Sequence, residues 1–507
     1  MAERHASSDL ARVGAHMVLA LATLAVIGPQ LGRGVMLWDQ GEVVFLAQAL
    51  ASGGVPGIDF VVNAYGPGRY LVTAGGFLAF GKSLNVLWGL FLLLRLGISA
   101  AAYELALRTL PSRVAVLAWV LPAALLLLPG PLHKGFFVLG TLLLALSFVI
   151  WLDDPTPRRA LAVGLLLAAV ATFRVDLGVF GAAVFFIAAW PVPERSGQIF
   201  LVWGPLVLVM ATFLAAVGAV GGGEAMAAVV DQVVDDIAKN NRIAYPFMPG
   251  LEELIEGASP GRLLLWAPLP VYLLLFVVLG VSPSSARAKL GVVLLLGVAT
   301  CNQVRMKPEF GHLLQALPLA YLAWTLIAVR LFDAERSPGR RFAAALFASA
   351  LPLVVLVPTL TEHRGSVYTG SFTIAEERVH ALDTEMGTVL LNSGEHARLE
   401  RILRFLRTAP PGPLWVPTNQ PLIYGLSGRE DVTGHVGLIY FADDPAREDR
   451  LIRRLVERPP AVVVYIDDTI EGPGRRLRAA APRVHTFMQE NYRTVRTHGD
   501  VEMMIRR

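Results

Sequence analysis

The chain has 507 residues, of which 54% are hydrophobic and only 17% charged, with a mean hydropathy of +0.55. This balance excludes a string of soluble domains and describes a polytopic membrane protein. The net charge of +4 comes from basic residues spread in small groups between apolar runs rather than gathered in a stripe, which argues against a nucleic-acid partner.

The N-terminal "MAERHASSDLARVGAH" places charges before an apolar run without a small-residue cleavage site, so a retained first span is expected. About eleven spans are predicted, centred near residues 15–33, 84–107, 113–129, 135–152, 159–173, 177–192, 199–220, 263–281, 288–303, 311–331 and 342–360. The short loops "RTLPSR", "DDPTPRR", "PERSG", "SSARAK" and "DAERSPGRR" mostly carry Arg or Lys and read as cytoplasmic. The N-terminus is then inside, and loop 34–83, loop 221–262 and everything after about residue 361 are outside. The expected domains are a membrane domain over 1–360 and an extracytoplasmic α/β domain over 361–507.

Within loop 34–83, "GEVVFLAQALA" and "GRYLVTAGGFLAFG" have helical spacing but are too short to cross a bilayer, which suits interfacial helices. Loop 221–262 holds a helical stretch, "EAMAAVVDQVVDDIAKN", before the turn-rich "AYPFMPG". In the tail, "RLERILRFLRTA" reads as an amphipathic helix, "AVVVYID" as a buried strand and "YRTVRTHGDVEMMIRR" as a hairpin. Cys301 is the only cysteine, which rules out an intramolecular disulfide and a multi-cysteine metal site.

Ionisable groups at membrane depth are costly, roughly 2.5–3.5 kcal/mol each on insertion scales, so each is a functional candidate. Under this topology Asp39, Glu42, Asp59, Arg69, His133, Lys134, Arg174, Asp176, Arg305, Lys307, Glu309 and His312 all fall at outer span ends or in the first outer loop. Their convergence on one leaflet predicts an interfacial site of mixed charge. Arg174, Arg305, Lys307 and His312 suit a lipid phosphate, because guanidinium forks and ammonium groups meet phosphate oxygens well. The structural alternatives are an Arg174–Asp176 pair at a tight turn, and Arg305 and Lys307 reaching to headgroups. His133 has a headgroup contact as its simplest reading. Asp39 is placed to act as a general base, while "WDQGE" also has capping-box spacing between Asp39 and Glu42. Asp59 could equally close an Asx turn after Pro56-Gly57. No HExxH, GxSxG, Walker or CxxC pattern occurs.

The stretches "WDQGEVVFLAQALASG" and "GIDFVVNAYGPGRYLVTAGGFLAFG" resemble the first extracytoplasmic loop of integral-membrane GT-C glycosyltransferases. The branch includes protein O-mannosyltransferases, the aminoarabinose transferase of lipid A and the Rhizobium core galacturonosyltransferases. Weaker likenesses are "FRVDLG", "RMKPEFGHLLQALPLAYL" and "PLIYGLSGRED".

The resemblance implies a GT-C transmembrane helical bundle. It implies an inverting transfer of one sugar from a polyprenyl-phosphate donor to a lipid, glycan or protein acceptor, on the outer face of the cytoplasmic (inner) membrane. Asp39 aligns with the catalytic first-loop acid. The usual Asp-Glu pair is Asp39-Gln40 here, and the Glu-Lys preceding the loop proline is Tyr65-Gly66 before Pro67. These departures remove the usual grounds for a loop metal, although a divalent cation near Asp39 stays open. Arg69 or Lys134 are the stand-ins for the missing lysine. Asp59, Glu42 and Tyr65 would position the acceptor or sugar, and Arg174, Arg305, His312, Lys307, Arg69 and Lys134 would hold the donor phosphate. The rival readings are a flippase of lipid-linked sugars and a glycan ligase or polymerase using a lipid-diphosphate donor.

Overall fold

The computed structural model describes residues 2–61, 65–128, 132–190, 195–243, 264–282, 284–306, 310–361, 380–435, 437, 445–467 and 476–507. In chain order its helices are α1 (Ala2–Ile27), α2 (Asp39–Ala51), α3 (Gly68–Phe80), α4 (Leu84–Thr109), α5 (Val120–Leu127), α6 (Gly135–Asp153), α7 (Pro157–Phe173), α8 (Val175–Ala189) and α9 (Arg195–Ile243). There follow α10 (Pro268–Val281), α11 (Ser284–Met306), α12 (Phe310–Leu331), α13 (Pro338–Thr361), α14 (Ser393–Thr408), α15 (Leu422–Ser427), α16 (Pro445–Glu457), α17 (Leu477–Ala480) and α18 (Pro482–Asn491). The strands are β1 (His380–Thr384), β2 (Gly387–Leu391), β3 (Leu414–Trp415), β4 (Val462–Ile466), β5 (Tyr492–His498) and β6 (Val501–Arg506).

Each of the eleven expected spans is helical along most of its length. Among the described residues, six stretches are long and apolar enough to cross a membrane: Leu10–Gln30, Leu84–Thr109, Gly135–Asp153, Ser196–Val234, Gly311–Leu331 and Pro338–Val357. Shorter apolar helices, Ser112–Leu127, Val175–Ala189 and Pro268–Val281, accompany them.

The chain divides into two compact units. The first contains residues 1–31, 90–213 and 240–375. Its core is a continuous apolar cluster in which α12 is almost wholly buried, so this helix is the central post of the unit. Small residues let its helices approach closely. A Cβ on Gly164 of α7 would stand 2.5 Å from the Leu201 carbonyl of α9, and one on Gly297 of α11 would collide with the Tyr272 ring of α10.

Polar groups in this unit collect at opposite helix ends. At one end Arg108, which closes α4, reaches Asp153 at the end of α6, and Lys289 at the start of α11 also pairs with Asp153. Arg12 and His16 of α1 both engage Glu104 of α4 nearby. At the other end stand Lys134, Arg174, Asp176, Gln303 and His312.

The second unit gathers residues 32–89, 214–239 and 376–507. The first loop, the far part of α9 and the C-terminal segment therefore pack as one body. Two strands pair in the hairpin β1–β2, and four form a sheet in the order β3-β4-β6-β5, with β3 parallel to β4 and the remaining pairs antiparallel. The β1–β2 hairpin also ties both ends of the first loop. Gly34 N–H donates to the Leu390 carbonyl at 2.7 Å, and Leu84 N–H to the Met386 carbonyl at 3.0 Å.

Helix α9 departs from expectation. It does not end near residue 220 but continues to Ile243, broken only at Gly222, whose φ of 75° is open to glycine and strained for other residues. The turn-rich "AYPFMPG" lies outside the described residues.

Candidate functional site

Asp39 opens α2, and the residue at the cap position is Trp38, whose side chain accepts no capping hydrogen bond. Trp38 rather than Asp39 thus holds the cap position, which corrects the capping-box expectation at its first residue, and the partner that the structure shows for Glu42 is on another helix. Its carboxylate instead accepts from the Arg69 guanidinium at 2.9 Å, and both side chains are largely buried. A helix start tolerates this because the first N–H groups need no partner from that side chain when the loop supplies backbone: Gly41 N–H donates to Met36 O and Glu42 N–H to Trp38 O. The Gln40 carboxamide oxygen accepts from Met36 N–H at 3.2 Å, so the turn before Asp39 is braced from inside.

The Glu42–Arg69 pair joins α2 to α3. Arg69 also lies over the Tyr65 ring, 4.2 Å from its centroid, so Tyr65 shields one face of the guanidinium. Next to it Tyr70 is buried, edge-on to Phe60 at 6.0 Å. Burial pushes the Tyr70 phenol well above its ordinary value, a shift that Arg69 opposes and Glu42 reinforces. Asp59 is exposed, and its carboxylate accepts from Val55 N–H at 2.7 Å, closing the turn through Pro56-Gly57.

What fixes Asp39 in place comes from far along the chain. Leu422 N–H at the start of α15 donates to the Leu37 carbonyl at 3.1 Å, and Gly41 lies so close that a Cβ there would stand 2.5 Å from the Leu422 nitrogen. One turn on, Gly425 faces Val44 and the Tyr424 ring packs on Phe45 at 5.5 Å. Gly41 thus lets the start of α15 reach the backbone of α2, while Gly425 makes room chiefly for Met386 Sδ, with the Val44 and Gln48 side chains of α2 beside it.

The first unit holds the remaining candidates. Arg174 is the single residue between α7 and α8, in extended conformation, and its guanidinium grips Asp176 in a fork, Nε to Oδ1 at 2.9 Å and Nη2 to Oδ2 at 2.6 Å. Gln303 of α11 donates to the same carboxylate at 3.0 Å. Arg174 also stacks over Phe137, 5.0 Å from the ring centroid, and Phe136 stacks on Phe173. The start of α6, with buried His133 and Lys134 immediately before it, therefore packs on the α7–α8 junction. His312 is buried near the start of α12. The side chain of Arg305, all of Lys307 and Glu309 lie outside the described residues.

A divalent cation near Asp39 finds a poor donor set within its unit. Glu42 pairs with Arg69 and the Gln40 oxygen accepts from backbone, and among the described residues no three His, Cys, Asp or Glu side chains group to hold a metal. Among the described residues the side chains around Asp39 do not assemble a donor set for such an ion.

No protein-family model and no curated protein matches the sequence. Solved structures do match. The Archaeoglobus fulgidus oligosaccharyltransferase in the apo form superposes with a TM-score of 0.53 at 12% identity, covering 95% of this chain and 72% of its own. The same enzyme in complex with zinc and sulfate gives 0.51 at 12% identity, covering 94% and 71%. ArnT from Cupriavidus metallidurans bound to undecaprenyl phosphate gives 0.49 at 13% identity, covering 96% and 97%. The first two carry the assignment. The chain has the GT-C fold.

Within that GT-C framework the sequence reading overlooked three kinds of residue. Gly41, Leu422 and Gly425 carry no charge, so their role in seating Asp39 shows only as close approach; the glycine inside "WDQGE" was the available signal. Arg95 is buried within α4, hidden in the sequence by the apolar run around it, although an arginine inside a span is itself a signal. Tyr70 passed for an ordinary aromatic of an amphipathic helix.

Proposed function

We propose that this protein is a membrane glycosyltransferase. It moves a sugar from a polyprenyl-phosphate donor to a lipid, glycan or protein acceptor at the outer face of the cytoplasmic membrane. The observation that carries the reading is the burial of Lys134, Arg174 and His312 at one end of a helical unit with the GT-C fold. Buried cations at the end of an apolar bundle suit a lipid phosphate, because the charge they neutralise sits at the same depth as the headgroup. Arg305 and Lys307, close to His312 in the sequence, are proposed for the same role.

In the proposed reaction Asp39 takes the proton of the acceptor nucleophile. The nucleophile forms its bond to the anomeric carbon as the bond from that carbon to the phosphate oxygen breaks, and the electron pair leaves on the phosphate. One displacement inverts the anomeric centre. Preorganised cations stabilise the charge that develops on the leaving phosphate. Arg69 takes part by holding Glu42, and Tyr65 by covering Arg69. Asp59 shapes the loop between α2 and α3.

The test is transfer from a panel of radiolabelled polyprenyl-phosphate sugars to membrane extracts, wild type against Asp39→Asn. Loss of transfer in the variant alone is expected. Equal transfer by both refutes the role of Asp39, and no transfer from any donor by the wild type refutes the enzymatic reading in favour of lipid-linked sugar transport.

A further inference from the structure

Helix α9 carries one apolar stretch of 39 residues, Ser196–Val234, whereas about 20 residues cross the hydrocarbon of a bilayer. The surplus is set off by the kink at Gly222, where φ is 75° and ψ −177°. Ser196 to Gly221 is 26 residues, or about 39 Å at about 1.5 Å per residue, enough to pass the hydrocarbon and reach the headgroups. The helix beyond Gly222 therefore starts at the depth of a membrane surface.

Beyond the kink the helix shows three faces. One is packed: Ala225 and Val229 are buried, and a Cβ on Gly57 of the first loop would stand 2.8 Å from the Ala225 carbonyl oxygen and 3.0 Å from Val229 Cγ2. On the same side Gln232 Nε2 donates to the Gly57 carbonyl at 3.2 Å, and Gly221 lies against Val55 and Ile58. A second face carries Glu224 and Asp231, seven positions apart and both exposed. The third, at i, i+4 and i+8, is Met226, Val230 and Val234, which are 42%, 43% and 59% exposed. At about 100° per residue this apolar row falls between the packed face and the two carboxylates. Soluble surfaces scatter exposed aliphatic groups singly, whereas a row of three continuous with a membrane span matches a helix half sunk in the bilayer surface. Residues 223–234 contain no Lys or Arg, so the attraction comes from burial of the apolar row and not from anionic headgroups.

We propose that residues 223–234 form a membrane-surface helix whose partner is the acyl-chain border of the leaflet where α9 emerges, entered by Met226, Val230 and Val234. Glu224 and Asp231 face the water. Because Gly57 packs on this helix, the loop between α2 and α3 is held at the same surface. The proposal needs no turnover and is independent of the glycosyl-transfer reading.

The experiment uses the full chain with Cys301→Ser, which removes its only cysteine, and one of Met226→Cys, Val230→Cys, Val234→Cys, Glu224→Cys or Asp231→Cys, each labelled with a nitroxide. All five positions are exposed, so the packed face stays intact. In phosphatidylcholine vesicles, EPR power saturation compares collisions with oxygen and with a water-soluble nickel chelate. Labels at 226, 230 and 234 should lie about 5–10 Å below the surface, protected from nickel and open to oxygen, with those at 224 and 231 open to nickel. Added phosphatidylglycerol should leave these depths unchanged. Equal nickel access at all five positions overturns the proposal, as does insertion that requires phosphatidylglycerol. Labels at 226, 230 and 234 shielded from both reagents also overturn it, since protein then covers the row. Spin–spin broadening that fades on dilution with unlabelled chain would identify that protein as a second copy.

Discussion

Replacing Gly41 by alanine tests whether the C-terminal segment holds α2, the helix that opens on the proposed base Asp39. The new Cβ would stand 2.5 Å from Leu422 N and 2.9 Å from Leu422 Cβ, so α2 and α15 must separate by about 0.9 Å to regain ordinary contact at 3.4 Å. That separation stretches the 3.1 Å hydrogen bond from Leu422 N–H to Leu37 O beyond its useful range. Overpacking costs about 1–3 kcal/mol and a buried N–H left without its acceptor about 1–3 kcal/mol, while the better helix propensity of alanine returns about 1 kcal/mol. The net loss is about 3 kcal/mol, or roughly 6–12 °C in the Tm of a body of this size. Asp39 lies two residues upstream and moves with the helix, and a misplacement near 1 Å costs on the order of 100-fold in rate. The assay is thermal unfolding by near-UV circular dichroism together with sugar transfer. Gly75→Ala on α3 is the control, since a Cβ there meets nothing within 4 Å and alanine favours the helix. A Gly41→Ala protein that keeps wild-type Tm and rate would show that α2 does not rest on α15, and the account of how Asp39 is placed would fail.

Other outcomes follow from the same structure. Glu42→Gln strands the largely buried Arg69 and should destabilise by about 3 kcal/mol, with Glu42→Gln/Arg69→Met recovering most of the loss; urea unfolding of the two proteins measures the difference. Arg174→Lys keeps the charge but loses the fork on Asp176, so transfer should fall at least tenfold while Arg174→Met falls further, measured as kcat/KM for the donor. His435 is held neutral down to about 3 from its ordinary 6.5, chiefly by burial and further by Arg454 and Arg450. The unfolded chain therefore takes up a proton the fold refuses, and stability is lost as pH falls from about 6.5 toward 3, by up to about 5 kcal/mol. His435→Asn should flatten that part of the Tm-against-pH curve, and an unchanged curve refutes the assignment.

What the sequence made legible was whatever hydrophobic period and charge encode locally. Helices α2 and α3 were readable because apolar residues recur along "GEVVFLAQALA" and "GRYLVTAGGFLAFG", and β4 because "VVVYI" is apolar throughout. The pairing of Glu42 with Arg69 was not readable, because 27 residues separate the partners and the capping pattern explained Glu42 within its own helix. The Arg174–Asp176 pair was readable as a turn from spacing alone, but not the third partner Gln303, an uncharged residue 127 positions away. The same limit governs Asp39. Its place at the head of a helix is local and shows in the sequence, whereas what orients that helix is the absence of two side chains, at Gly41 and Gly425, where another segment arrives.

That difference bears on how the second unit works. Charge at membrane depth is costly and stands out in a sequence, yet the backbone that carries Asp39, the proposed base, is held by uncharged surfaces. Arg454 makes the point from the opposite side. Its guanidinium donates to the Thr433 carbonyl and to the Ile58 carbonyl of the first loop, acting as a backbone clamp rather than as a charge partner. Gly434 next to Thr433 has a φ of 69° and would drive a Cβ into the Asp59 carbonyl. A C-terminal segment that grips the chain just before α2, at Leu37 through Leu422, and the loop after it, at Ile58–Val61 through Arg454 and Gly434, holds α2 from both sides. Loosening either grip should lower transfer before it unfolds the first unit, which has its own apolar core.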